Sequence, residues 1–327
     1  MTIISLSNGN RCKNAFKVAF CNTTKKMFTK LWEEVNFMKK FLKLLMTMAL
    51  VVCCFSTFVA CGGSSFDPDK NIQVVTREDG SGTKSAFMEI IGLKGKSDVS
   101  RVIVQSTTAG VLNAVKTNNY TIGYDSLGYV TDEVKMLKVD GVDCTVENIK
   151  NGSYKISRPL SIVYKQDTIS SGAEKAFYDF LQSSDAQSII SDNGYVSIKD
   201  NTSAYAVVSG LTGDIQISGS TSLQPLMEKL EAKFEQLQPN VNVTVAGGGS
   251  GTGYNNAENG TSDFGMISEE FKQTKAPNCT YNTVAKDGIA VIVNKNNTND
   301  NITMAQLKAI YNVEAGDNAI KVWNQIA

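Results

Sequence analysis

The chain of 327 residues contains no histidine. That removes Ser-His-Asp and Cys-His catalysis, and any zinc site that needs imidazole. Arginine is scarce: Arg11, Arg77, Arg101 and Arg158 are the only four. Net charge is missing too, since 32 basic residues balance 32 acidic ones. No global basic field therefore points to nucleic acid. The sequence holds no Gly-Lys-Ser/Thr phosphate loop, and its glycine run at 247–253 lacks GxGxxG spacing. The length suggests two domains or one large one.

Cysteine is mostly confined to the N-terminal part. Cys12, Cys21, Cys53 and Cys54 precede Cys61, and only Cys144 and Cys279 follow it. Spacing does not say whether those two pair, and neither has a metal-ligand spacing. Residues 38–60 read as a targeting segment. Lys39, Lys40 and Lys43 form a basic region, and Leu44 to Phe58 an apolar one too short and wrongly flanked for a stable transmembrane helix. The segment ends Phe58-Val59-Ala60-Cys61-Gly62-Gly63 and resembles a bacterial lipoprotein signal, which implies lipidation of Cys61. Phe58 departs from the usual leucine there, and an ordinary secretory signal is the alternative. Residues 1–37 lie upstream of a complete signal and read as a doubtful extension. Residues 61–70 read as a Gly/Ser tether.

The rest is organised around Arg77-Glu-Asp-Gly-Ser-Gly-Thr83. The β-branched stretch Asn71–Val75 before it reads as a buried strand, and Lys84–Ile91 after it, closed by Gly92, as a helix. A strand–helix junction aims free backbone N–H groups and the positive end of the helix dipole at one point. Gly80 and Gly82 allow close backbone approach; Ser81, Thr83 and Arg77 add donors. Everything here suits an anion. A plain capped turn in which Arg77 pairs with Asp79 would also fit.

Strands and helices then alternate, which predicts an α/β fold. Strands are expected at Val99–Val104, Thr121–Tyr124 and Ser161–Tyr164. Helices are expected from Thr107, over Gly172–Leu181 and over Ala186–Ser191, and residues 199–213 read as a linker. A second strand–loop–helix unit follows: Asp214–Ile217, then Ser218-Gly-Ser-Thr-Ser222, then a helix whose Leu223, Leu226, Met227, Leu230, Phe234 and Leu237 share one face. Val241–Val245 alternates strictly and opens into Gly247-Gly-Gly-Ser-Gly-Thr-Gly253 before a short helix. Asp263–Ser268 and Gly288–Val293 read as strands, and Thr303–Tyr311 as a helix. Four strand ends thus present hydroxyls: Ser81/Thr83, Thr221/Ser222, Ser250 and Ser268. Ligands of open α/β sheets gather at such ends.

Together Ile217-Ser-Gly-Ser-Thr-Ser-Leu-Gln-Pro-Leu226, Gly247–Gly251, Asp263–Ser268 and Arg77–Thr83 resemble the phosphate-binding proteins of phosphate ABC transporters, which have the two-lobed type II periplasmic-binding-protein fold. The resemblance implies one lobe of residues 71–155 plus 288–327 and another of 156–287. It implies two crossover strands as hinge, near Ser161–Tyr164 and Gly288–Val293. It implies that Arg77, Ser81, Gly82 and Thr83 bind phosphate from one lobe, with Asp79 orienting Arg77. Thr221, Ser222, Ser250, Gly251 and Ser268 would bind from the other. In some members a carboxylate stands where Ser268 is here, which weakens the basis for choosing phosphate over sulfate. Glu269, its neighbour, reads as a solvated surface carboxylate.

The implied protein is a monomeric receptor with no cofactor. It is anchored through Cys61 on the outer face of the cell membrane and delivers phosphate to ABC permease subunits. A general oxyanion binder, a sensor or scavenger, and a phosphate-ester hydrolase are the alternatives; the last lacks a visible nucleophile–base pair. In the family the Ser-Thr-Ser loop precedes the Arg-Glu-Asp-Gly-Ser-Gly-Thr loop, and here it follows. That order implies a circular permutation, with a rearranged reading frame as the competing explanation.

Overall fold

The computed structural model of the chain describes residues 66–200 and 202–326. The targeting segment, Cys61 and the start of the tether lie outside the described residues. Gln73–Arg77 (β1) leads into Gly82–Ile90 (α1), Ile103–Gln105 (β2), Thr108–Thr117 (α2), Thr121–Ser126 (β3), Val134–Met136 (β4), Lys138–Val139 (β5) and Val146–Lys150 (α3). Ser157–Tyr164 (β6), Gly172–Leu181 (α4) and Ser184–Asp192 (α5) follow, then Gly213–Gly219 (β7), Gln224–Leu237 (α6), Val241–Ala246 (β8), Gly249–Asn259 (α7) and Phe264–Ile267 (β9). Thr280–Asn294 (β10), Asn301–Ile302 (β11) and Met304–Tyr311 (α8) close the chain.

One sheet runs β2-β1-β3-β10-β6-β9-β7-β8, with β4 added on β10. It is mixed. β1 is parallel to β2 and β3, and β7 is parallel to β8 and β9, as strand–helix–strand units require. Between these parallel ends, β10 runs antiparallel to β3 with residues 289–293 and to β6 with residues 280–288. Among the described residues two large cores form along the sheet, with a smaller cluster around Tyr254 and Ile267 beside the second. The first gathers buried residues from Val74 to Ile156, Val196, and Ile289 to Ile326; the second gathers Leu160 to Ala285. The elements around them are called here the first and second lobe.

Periodicity explains the helices. In α4, Ala173, Ala176, Phe177, Phe180 and Leu181 make one buried face. In α6, Leu226, Met227, Leu230 and Phe234 do the same, with Pro225 in the first turn, where its missing N–H costs nothing. The faces meet at Phe177 and Phe234, whose rings pack edge-to-face 5.1 Å apart. In β8, Val241 and Val243 are buried while Asn242 and Thr244 are exposed. Backbones pack closely behind: a Cβ on Gly265 would lie 2.0 Å from the Gly253 carbonyl oxygen.

Some elements differ from expectation. β2 begins at Ile103 rather than Val99, because Arg101 takes φ 68 and breaks the extended chain. β10 starts eight residues before Gly288, since its polar first half is held by pairing with β6, not by an apolar pattern. α7 begins inside the glycine run. The 199–213 stretch forms no regular element before β7, yet it is tied down: Ser184 N–H donates to Ser203 O at 2.9 Å, and Tyr205 N–H to Asp185 Oδ2 at 2.7 Å. Residues 68–72 lie against 321–324, with Ile72 N–H donating to Lys321 O at 2.8 Å. Cys144 and Cys279 are both buried and unpaired. Among the described residues no helix is long and apolar enough to cross a membrane.

Candidate functional site

β1 ends in Arg77, which the parallel register sets beside Gln105 of β2. The guanidinium is 1% exposed. It donates from Nε to Gln105 O (3.2 Å), from Nη2 to Ser106 O (2.9 Å) and Thr221 Oγ1 (3.0 Å), and from Nη1 to Thr108 Oγ1 (3.3 Å). All four acceptors are neutral. Burial lowers the Arg77 pKa, though guanidinium stays charged throughout the ordinary range.

Hydroxyls from both lobes close around this fork. Thr83 and Ser222 share a hydrogen bond at 2.9 Å, and Thr108 meets Thr221 at 3.1 Å and Ser222 at 3.3 Å. On the other side of α1, Ser250 and Ser268 meet at 3.3 Å, and Ser268 N–H donates to Ser250 Oγ at 3.0 Å. Gly82 lies against that pair: a Cβ there would be 2.2 Å from Ser250 Oγ and 2.8 Å from Ser268 Oγ. Only glycine admits this approach.

Four helices start here: α1, α2, α6 and α7, of 9, 10, 14 and 11 residues. Each N-terminus adds unpaired N–H groups and about half a positive charge. Ser81 caps α1, accepting from Lys84 N–H at 3.4 Å, and Ser220 Oγ accepts from Ser222 and Leu223 N–H, both at 3.2 Å. The cluster is therefore rich in donors, carries one buried cation, and is electrostatically positive. It can hold a small oxyanion.

The sequence-derived set is brought together with three changes. Asp79 does not orient Arg77. Its carboxylate faces solvent at 98% exposure and takes Lys84 Nζ at 2.8 Å, because the turn at Gly80 (φ 90) swings it away. The Gly251 N–H, read as a ligand donor, instead donates to Gly80 O at 2.9 Å and ties the two glycine loops together. Glu269 is not a solvated surface carboxylate. Its side chain is 2% exposed and ion-paired with Lys272 and Lys275. Thr108 was missed. It follows a strand end at a helix start as the others do, but its junction carries a single glycine, Gly110, inside the helix rather than a glycine-rich loop.

Behind the cluster lies a second charged group. Arg158 Nη2 donates to Asp287 Oδ2 at 3.1 Å, and its Nη1 donates to Ser268 O at 3.1 Å. Asp125, at the end of β3, accepts only the Ser126 N–H at 2.8 Å and leaves Oδ2 unpartnered; burial pushes its carboxyl well above the usual range. A cavity of 630 Å3 between Gln73, Arg101 and Ile310 is on the far side of the first lobe and holds none of these groups.

The model for the PBP superfamily domain matches residues 22–185 and 206–327. "Phosphate-binding protein PstS 2" of Streptococcus pneumoniae is 33% identical over 298 residues, covering 88% of this chain and 99% of that protein. The protein of the same name from Streptococcus agalactiae is 38% identical over 262 residues, covering 77% of this chain and 88% of its own. Among solved structures, a phosphate-binding protein of a phosphate ABC transporter from Streptococcus pneumoniae matches with a TM-score of 0.63 at 34% identity, covering 79% of this chain and 100% of that one. One continuous alignment across 99% of a relative means that the relative carries its segments in the same order. That sets aside the rearranged-frame explanation. With matches that span most of the sequence, the chain belongs to the phosphate-binding protein (PstS) family of the PBP superfamily.

Proposed function

We propose that this chain captures inorganic phosphate between its two lobes and delivers it to the permease of an ABC transporter. The observation that carries this reading is Arg77: buried, bonded only to neutral acceptors, and surrounded by hydroxyls from both lobes. A buried charge without a carboxylate partner is costly unless an anion completes it. Residues 71–155 plus 288–327 and residues 156–287 act as the two jaws, closing about β6 and β10. Arg77, Ser81, Gly82, Thr83 and Thr108 contact the anion from one jaw; Thr221, Ser222, Ser250 and Ser268 contact it from the other. The protein binds without turnover, is monomeric, and is held to the outer face of the membrane by lipid on Cys61. A Cys61→Ser variant is expected to leave the membrane fraction and appear in the medium.

A second reading is kept because of Ser268. Its hydroxyl can donate to any oxyanion, so the site could serve sulfate as well as phosphate. Calorimetric titration of the full chain with phosphate and then sulfate separates the two. Tight one-to-one binding of phosphate with sulfate silent supports the phosphate receptor. Equal binding makes it a general oxyanion binder, and no binding of either refutes both readings.

A further inference from the structure

Beside the hydroxyl cluster the lobes also touch at a charged contact. Ser85 of α1 donates to Glu269 Oε2 at 2.6 Å. Lys272 Nζ donates to Ser85 Oγ at 2.8 Å and also pairs with Glu269, and Lys275 Nζ donates to Glu269 Oε1 at 2.6 Å. The carboxylate and both lysines come from the second lobe; only the serine comes from the first. The charged half is complete without Ser85 and is braced on α7, where Tyr254 Oη accepts from Lys272 N–H at 3.0 Å and the Tyr254 ring lies 5.0 Å from Lys275 Nζ.

We propose that Glu269, Lys272 and Lys275 form a latch that grips Ser85 and holds the cleft closed, so that they set how long phosphate stays rather than how fast it enters. The inference rests on the phosphate reading above. Its geometry explains why a carboxylate is buried at this place. Ser268 and Glu269 are consecutive: one faces the hydroxyl cluster and the other faces the latch. On the opposite lobe Thr83 and Ser85 stand two residues apart on α1 and make the matching contacts. One closing motion therefore completes both sets. Opening leaves Glu269 with its two lysines and so strands no charge. It releases only the neutral Ser85, which suits a contact that must form and break repeatedly.

The test uses the full chain with Ser85→Ala, Ser85→Thr and Glu269→Gln, and inorganic phosphate as the probe. Stopped-flow binding and release are measured together with X-ray scattering of the phosphate-free protein. Ser85→Ala is expected to release phosphate about tenfold faster, as the loss of a hydrogen bond to a charged group implies, with the association rate and unfolding temperature unchanged. Ser85→Thr, which keeps the hydroxyl, should restore slow release. Ser85→Ala and Glu269→Gln together should cost less than the sum of the two, because they break one contact. An unchanged release rate in Ser85→Ala overturns the latch. Should the wild type bind no phosphate, the phosphate reading fails by itself, and scattering still decides the latch: a Ser85→Ala protein as compact as wild type overturns it, and a more open one supports it.

Discussion

Arg77 and Arg158 are both buried, at 1% and 2% exposure, and both lie where the lobes meet. Their surroundings differ in one respect. Arg158 has a carboxylate partner in Asp287, 3.1 Å away, whereas Arg77 is held by two carbonyls and two hydroxyls. Arg158 is cancelled within the fold, and Arg77 is positioned but not cancelled. If Arg77 is the anion's partner, as proposed, the difference shows that such a cation is told from a structural one by what stands opposite it, not by its burial. Asp125 lies near both, but burial raises its carboxyl well above the usual range, which limits how much of Arg77 it can neutralise.

Exchanging each arginine for methionine should break the comparison in opposite ways. Arg158→Met strands Asp287 and should destabilise the fold by about 3–5 kcal/mol, read as a fall in the denaturant midpoint. Arg77→Met breaks no ion pair, and the neighbouring Asp125 carboxyl is already pushed well above the usual range by burial. The exchange should leave the midpoint nearly unchanged and cost about 2–5 kcal/mol of phosphate binding, read by calorimetry. Gly82→Ala comes next. Its Cβ would meet Ser250 Oγ at 2.2 Å, so the lobes cannot close fully, and phosphate affinity should fall by about 1–3 kcal/mol with little change in unfolding temperature. Thr108→Val keeps the shape but removes a hydroxyl from the Arg77 fork. It should weaken phosphate by about 0.5–1.5 kcal/mol, and an unchanged affinity would remove Thr108 from the site.

The smallest effect expected is that of pH on Glu269. Burial raises its pKa, but hydrogen bonds from Lys272, Lys275 and Ser85 outweigh burial and hold it below the ordinary carboxylate range. Its folded pKa is thus below its unfolded one. The stabilisation is present above the ordinary glutamate range and is lost as pH falls through the folded value. Release of phosphate should accelerate over that acid window in wild type and show no such step in Glu269→Gln.

Much of this was legible in the sequence, for physical reasons that differ by element. α4 and α6 announced themselves through apolar faces at helical spacing, and β8 through strict alternation. The grouping of hydroxyls was legible because serine and threonine recur at the strand–helix junctions, and strand ends converge in an open α/β sheet. What was hidden depends on tertiary neighbours. The first half of β10 has no apolar pattern and exists because β6 pairs with it. Thr108 joins the cluster only because β2 lies beside β1, which sets the start of α2 against Arg77. Asp79 beside Arg77 in sequence suggested a pair, yet the Gly80 turn separates them. Glu269 looked like a surface residue because its partners, Ser85, Lys272 and Lys275, are supplied partly by another lobe.

The most direct test of the central claim is a calorimetric titration of inorganic phosphate into the full wild-type chain and into Arg77→Met, side by side, with thermal unfolding of both. One-to-one binding by the wild type, lost in a variant that unfolds at the same temperature, is the predicted result. A variant that binds phosphate as well as the wild type would contradict the claim that the uncancelled charge of Arg77 is what holds the anion.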